Sequence, residues 1–398
     1  MKPAAAVRWP AIAALTAVST LAQIGQFGIG FIVLPVWLAH QGLDAQRAGV
    51  FAAAQWAGMF VGLLMAPATV VRIGAKCTVT LGLAASVVAF LAAGWLSWPL
   101  WIAAGVLTGL GIGLRWIANE SWLYGLVPEH LSGRVVGVHE TLIATAGVIA
   151  PALAAACGAD GSITMIAGLS FTCAAALPLW LTASAPAVHP VARKAVIQHD
   201  VRTPTPTLGA RIYLGMIVVA VGGVIDGALY GLFPLYASAR GMSVTQAALL
   251  LSCLGLGGMT LQYPVGWMAD RIGLGFTVLT CATLSTLGLI AFALVQPTTW
   301  VLPACGLLVG GMNSAFITLG MYAAACSEKT AIVRNMRLVS LTFTASSIIG
   351  PLVASSAMRA FGNDALMWPL AIASAALAFF TLGICEGRRL RSAPAPAN

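Results

Sequence analysis

Four ionisable side chains, Arg115, Glu120, Glu140 and Asp226, stand inside long apolar stretches of this 398-residue chain. Each costs at least about 2.5–3.5 kcal/mol to place in hydrocarbon unless it is paired or hydrated. The chemistry open to such groups is ion pairing, or the passage of protons and charged solutes. Glu120 and Arg134 lie equally far from the turn at Val127-Pro128, as do Arg115 and the His139-Glu140 pair. In an antiparallel hairpin, residues equidistant from the turn share a depth, so two ion pairs are expected: Glu120 with Arg134, and Arg115 with Glu140 and His139. They either lock the hairpin, or break and re-form as a cavity opens or a proton moves. Asn119 adjoins this group. Asp226 follows Arg211 by fifteen residues, about 22 Å at 1.5 Å per residue, well inside a bilayer. A lone carboxyl group there can exchange a proton with a water-filled cavity; a hydrogen-bonded structural site is the other reading. Its neighbours at helical spacing include Gly222, Gly223, Tyr230 and Phe233. Gln23, Gln26, Gln55, Trp56, Trp116, Trp122, Gln262, Asn313 and Ser314 are candidates to line a cavity or to bridge helices.

The elements that must position these groups follow from composition. Sixty per cent of residues are hydrophobic and eight per cent charged, against about 25% charged in a soluble domain. Stretches of about 20 apolar residues, enough to cross the hydrocarbon layer as helices, recur at 11–39, 47–70, 77–96, 99–126, 135–157 and 162–182. Six more fall at 211–238, 245–268, 276–295, 299–326, 335–358 and 364–385. The chain is therefore expected to be an all-α polytopic membrane protein with twelve spans. The first stretch is too long for a signal-peptide core and reads as an uncleaved helix. With both termini inside, fifteen lysines and arginines fall on inner segments, among them Arg72, Lys76, Arg134, Arg271 and Arg334. Three fall on outer loops: Arg47, Arg240 and Arg359. This asymmetry gives an N-in, C-in orientation and explains the net charge of +9 without nucleic acid.

The second half repeats the first. Subtracting 199 carries Gly227 to Gly28, Pro234 to Pro35, Gly241 to Gly42, Gly257 to Gly58 and Arg271-Ile272-Gly273 to Arg72-Ile73-Gly74. With a one-residue slip, Arg334 falls on Arg134 and Pro351 on Pro151. Repeats of this size mark secondary transporters. Two bundles are expected, 1–182 and 211–398, joined by a proline-broken cytoplasmic linker at 183–210, with a short disordered tail from Ser392. In the fourth span Gly105, Gly109 and Gly113 share one face, where backbones can pack closely or slide; Gly306 and Gly310 resemble them. No phosphate loop, nucleophile-base motif, cysteine pair or metal-spaced cluster occurs, so neither an enzyme, a cofactor nor a metal is expected.

Gly266-Trp-Met-Ala-Asp270-Arg271-Ile-Gly273 is similar to the loop motif Gly-x-x-x-Asp-Arg-x-Gly of the major facilitator superfamily, and the resemblance covers the whole chain. It implies a twelve-helix fold in two pseudo-symmetric six-helix bundles, with the aspartate and arginine clasping cytoplasmic helix ends. The first-half copy keeps Arg72 and Gly74 but carries Val71 in place of the aspartate. Glu120-Ser-Trp-Leu123, Gly133-Arg134-Val135 and Leu261-Gln-Tyr-Pro264-x-Gly266 resemble the YcaD-like branch. The resemblance implies a monomeric, multi-pass transporter of the bacterial cytoplasmic membrane. It would move a small solute by alternating access with H+, through a site near the midplane. Asp226 is the proton-carrier candidate, and Arg115, Glu120, Arg134 and Glu140 the coupling or gating group. Three acids against one arginine favour a cationic or neutral solute. A transporter-like receptor or scaffold that binds without moving its ligand is the rival.

Overall fold

The computed structural model describes residues 8–127, 132–157, 162–182, 209–297, 299–327 and 332–392. Twelve helices among them are long and apolar enough to cross a membrane. They are α1 (Trp9–Val33), α2 (Ala45–Ile73), α3 (Ala75–Ala93), α4 (Trp101–Leu126), α5 (Val138–Cys157) and α6 (Ile163–Leu181), then α7 (Ala210–Ala239), α8 (Val244–Ile272), α9 (Leu274–Leu294), α10 (Val301–Ala325), α11 (Arg334–Phe361) and α12 (Asn363–Ile384). Helices meet the constraint that lipid imposes, because every backbone N–H and C=O finds its partner within the segment. The expected linker at 183–210, apart from its last two residues, and the tail beyond Ser392 lie outside the described residues.

The chain forms two compact units, Met1–Thr207 and Leu208–Asn398, and the 199-residue repeat is visible in how corresponding helices begin and end. Asp44 caps α2 by accepting from the Arg47 amide at 2.8 Å. At the matching position Ser243 caps α8, its hydroxyl accepting from the Gln246 amide at 3.2 Å while the Gln246 side chain accepts from the Ser243 amide at 2.9 Å. Both devices satisfy first-turn N–H groups. Gly74, at φ 86°, ends α2 and starts α3; Gly273, at φ 85°, does the same between α8 and α9. One residue reverses the chain at each place, and the left-handed backbone explains why glycine recurs there.

Packing follows the same repeat. A Cβ on Gly58 would fall 2.0 Å from the Val106 carbonyl oxygen, and one on Gly257 1.9 Å from that of Leu307. The α2–α4 and α8–α10 pairs therefore touch backbone to backbone. The Gly105, Gly109 and Gly113 face of α4 lies on this contact, against Phe51, Gln55 and Met59. In the first unit Ile12, Leu15, Val18, Val79, Leu83, Trp122 and Leu179 form a core shared by α1, α3, α4 and α6. In the second, Phe233 packs edge-on to Phe292 at 6.1 Å, and the Tyr236 hydroxyl donates to the Phe292 carbonyl at 2.6 Å. Arg240 donates to the Ala293 and Val295 carbonyls, which closes the end of α9.

One helix departs from regularity. α1 is α-helical over Trp9–Ala22 and π-helical over Gln23–Val33, and it continues as α-helix over Leu34–His40. The wider turn carries Gln23 and Gln26, and Gly30 within it offers its carbonyl to Gln55 Nε2 at 2.7 Å.

Candidate functional site

Two polar stripes run down α4 and face different neighbours. Arg115 and Asn119, one turn apart, face α1. Arg115 Nε donates to Gln26 Oε1 and Nη2 to Gln23 Oε1, each at 3.0 Å, and the side chain is 1% exposed. Gln26 in turn donates to the Gly82 carbonyl at 3.2 Å and to Ser86 Oγ at 2.6 Å, so one amide ties α1 to α3 and α4 together. Asn119 Nδ2 donates to the Leu15 carbonyl at 2.9 Å and to Ser19 Oγ at 2.7 Å. The network is possible because α3 and α4 nearly touch: a Cβ on Gly82 would lie 2.5 Å from the Gly111 carbonyl oxygen.

This placement corrects the expected Arg115–Glu140 pair. Equal distance from a turn fixes depth but not direction around the axis. Residues five apart, such as Arg115 and Glu120, point about 140° away from each other on an α-helix. Arg115 turns to the amides of α1, whereas Trp116, Glu120 and Tyr124 form the stripe that meets α5. Trp116 Nε1 donates to Glu120 Oε1. His139, wholly buried, holds Nε2 3.8 Å from Glu120 Oε1 and Nδ1 3.3 Å from Thr16 Oγ1. Glu140 accepts from the Tyr124 hydroxyl at 3.1 Å. His139, expected beside Arg115, thus meets Glu120 instead; the side chain of Arg134, the expected partner of Glu120, lies outside the described residues. Beside the stripe, α1 and the α5 hairpin flank a groove of about 720 Å³, lined by apolar side chains with Thr16 and Thr20.

In the second unit, Asp226 projects from α7 and meets α10. Asn313 Nδ2 donates to Asp226 Oδ1 at 2.6 Å. The carboxylate is half-buried, while Asn313 is 4% exposed and its Oδ1 is buried with no hydrogen-bond partner. Tyr230 stands one turn along α7 and is also half-buried. The α7 backbone is pressed onto α11, with a Cβ on Gly227 placed 2.2 Å from the Ser347 carbonyl oxygen. Asp226 therefore has a partner that sequence reading did not pair with it, an amide 87 residues away. At the repeat-related positions of the first unit the chemistry is aromatic. Phe27 stacks on Phe31 at 5.3 Å, and Trp56 meets both rings edge-on at 6.3 and 5.2 Å.

The loop motif closes α8. Arg271 sits over the Trp267 ring at 4.4 Å, Asp270 is exposed, and the Ala269 carbonyl accepts from Tyr322 of α10 at 3.4 Å. In the first-half copy, beside Arg72 and Gly74, Lys76 Nζ donates to the Trp180 and Thr182 carbonyls at 3.4 and 2.7 Å. Arg334 donates to Asn335 Oδ1 at 3.3 and 3.4 Å, and Asn335 Nδ2 to Ser327 Oγ at 2.9 Å. Ser86, Tyr124 and Asn335 were not singled out in sequence, and Lys76 only as an inner-side charge, since a lone polar residue near a helix end or within a span carries no distinguishing pattern. Among the described residues, no group of three or more His, Cys, Asp or Glu side chains has metal-holding geometry.

Twelve apolar helices in two repeat-related units, with charged and amide side chains buried inside them, define a multi-pass membrane protein of the transporter type. The model of the Major Facilitator Superfamily matches residues 15–334 and 216–397, and the chain belongs to that family. It is 24% identical over 358 residues to an uncharacterized MFS-type transporter of Enterobacter sp. (strain 638), covering 88% of this chain and 89% of that one. It is 25% identical over 351 residues to the uncharacterized MFS-type transporter YcaD of Escherichia coli (strain IAI39 / ExPEC), covering 86% and 87%. Similar solved structures share 13% sequence identity. They include the nucleoside transporter NupG, with a TM-score of 0.74 over 94% of this chain and 98% of that one. A bacterial homologue of the human lysosomal transporter Spinster gives 0.73 over 99% and 100%.

Proposed function

We propose that this protein is a secondary transporter of the bacterial cytoplasmic membrane that moves a small solute by alternating access, coupled to protons at Asp226. The carrying observation is the state of that carboxylate. It stands inside α7, half-buried, and receives one hydrogen bond, from the neutral Asn313 amide. A carboxyl group so placed, with no cation bound to it among the described residues, can take up and release a proton as its access to water changes. The buried charge of the first unit has a different character, since Arg115 is clasped by two glutamines and 1% exposed, which suits a fixed structural hub. Glu120, His139 and Glu140, which share Tyr124 as a neighbour, are assigned to coupling or gating. The loop motif at Gly266, Asp270, Arg271 and Gly273, its partial copy at Arg72 and Gly74, and Arg134 and Arg334 are assigned to the cytoplasmic gate. The positive-inside asymmetry supports an N-in, C-in orientation. In this reading 1–182 and 211–398 act as the two moving bundles, 183–210 as their cytoplasmic linker, and the chain works as a monomer.

The test is purified protein in proteoliposomes carrying a pH-sensitive dye, challenged with solutes one at a time. A transported solute should move protons with it in the wild type. Asp226→Asn should lose solute-driven proton movement. Proton movement equal to the wild type in Asp226→Asn would remove Asp226 from the coupling.

A further inference from the structure

We infer that Asp226 and Asn313, with Tyr230 one turn along α7, bind a primary ammonium group of the transported solute. The inference rests on the reading of this chain as a solute transporter and adds the chemical class of what it carries. An ionised carboxylate only accepts hydrogen bonds, so Asn313 must present its Nδ2 to Asp226, which it does at 2.6 Å. That orientation strands Asn313 Oδ1, which is buried with no donor. Buried polar atoms without partners are rare, and each calls for an explanation such as an absent ligand. Here the stranded carbonyl oxygen belongs to the same amide that holds a carboxylate, and Tyr230 stands one turn from Asp226 on the same face of α7. Three oxygen acceptors and one negative charge match a group with three N–H donors and one positive charge.

The same geometry discriminates among cations. A guanidinium pairs best with a carboxylate through two parallel bonds, but the Asn313 amide already takes one of the two lone pairs of Asp226 Oδ1, leaving Oδ2 as the oxygen with both free. A compact ammonium needs only one. A bare proton on Asp226 would neutralise the charge without supplying a donor to Asn313 Oδ1 in its present orientation. Hard metal ions seek six or more oxygens, whereas the helix carbonyls here are committed to the α7 and α10 ladders.

The experiment is thermal stabilisation and calorimetric binding of the purified full chain, with a panel of primary amines of graded size, their hydroxyl isosteres, their guanidino counterparts, and sodium and lithium chloride. At least one amine should bind the wild type, and better than its isostere and its guanidino counterpart. Asn313→Leu should weaken that amine about tenfold, the effect of one lost acceptor on a charged donor, and Asp226→Asn should abolish its binding. The inference is overturned if no amine binds, if isosteres or guanidino compounds bind as well, if the metal salts alone give the Asp226-dependent response, or if Asn313→Leu binds amines like the wild type. The amine-against-isostere comparison uses the wild type, so it stands even if a variant fails to fold. Because binding is measured without transport, the two readings separate: an amine that binds but is never moved sinks transport and keeps the site. A solute moved without any ammonium group does the reverse.

Discussion

Replacing Gln26 with leucine removes the amide that joins three helices at nearly constant volume. Gln26 accepts from Arg115 Nε at 3.0 Å, donates to Ser86 Oγ at 2.6 Å and to the Gly82 carbonyl at 3.2 Å, and is wholly buried. Neutral hydrogen bonds between membrane helices average about 0.6 kcal/mol. The two donated by Gln26 then account for about 1.2 kcal/mol. Ser86 is partly compensated, since its hydroxyl already donates to Gly82 at 3.3 Å. The bond from Arg115 is larger, because losing the partner of a buried charged donor costs about 1.5–3 kcal/mol. Gln26→Leu should therefore destabilise the protein by about 3–4 kcal/mol. The assay is reversible unfolding in mixed micelles, run as a double-mutant cycle with Arg115→Met. If the guanidinium is what suffers, the double variant should recover about 1.5–3 kcal/mol relative to the sum of the singles. Strict additivity, or a loss below about 1 kcal/mol for Gln26→Leu, would refute the view that this amide supports the buried charge.

Further predictions concern the backbone contacts and turns. A Cβ on Gly109 would lie 1.8 Å from the Gln55 carbonyl oxygen and one on Gly310 2.0 Å from that of Leu254, so Gly109→Ala and Gly310→Ala should each lose folded yield by size-exclusion chromatography. Gly125→Ala is the control: nothing lies within 4 Å of its Cβ, and in a helix it should be neutral or stabilising by about 0.5–1 kcal/mol. Gly74→Ala and Gly273→Ala force alanine to φ near 86° and 85° and should each cost about 1–2 kcal/mol. Equal drops in melting temperature are expected, and an unaffected Gly273→Ala would show that the turn is not held in that conformation.

The twelve spans, the repeat and the family were legible along the chain because each is a one-dimensional property. Apolar length is dictated by membrane thickness, and the glycines at 42, 74, 241 and 273 recur because one residue per turn must adopt positive φ. The buried charges were legible as well, since an ionisable residue in an apolar stretch stands out by type alone. What they touch was not. Depth along the α4–α5 hairpin set Glu120 against Arg134, whose side chain lies outside the described residues, and His139 against Arg115; His139 instead meets Glu120. The same reasoning failed for Arg115, because direction around a helix depends on which neighbour packs against each face. That neighbour is set by the glycine contacts that bring α1, α3 and α4 together. Asp226 and Asn313 each appeared in sequence as a separate polar residue; their pairing required α7 and α10 to be placed side by side. Sequence determined which groups must be accounted for inside the membrane, through the energy of burying them. Tertiary structure alone decided that Arg115 is held by neutral amides and that Asp226 shares its amide with a stranded carbonyl oxygen, because hydrogen bonds form between atoms a few ångströms apart, whatever their separation along the chain.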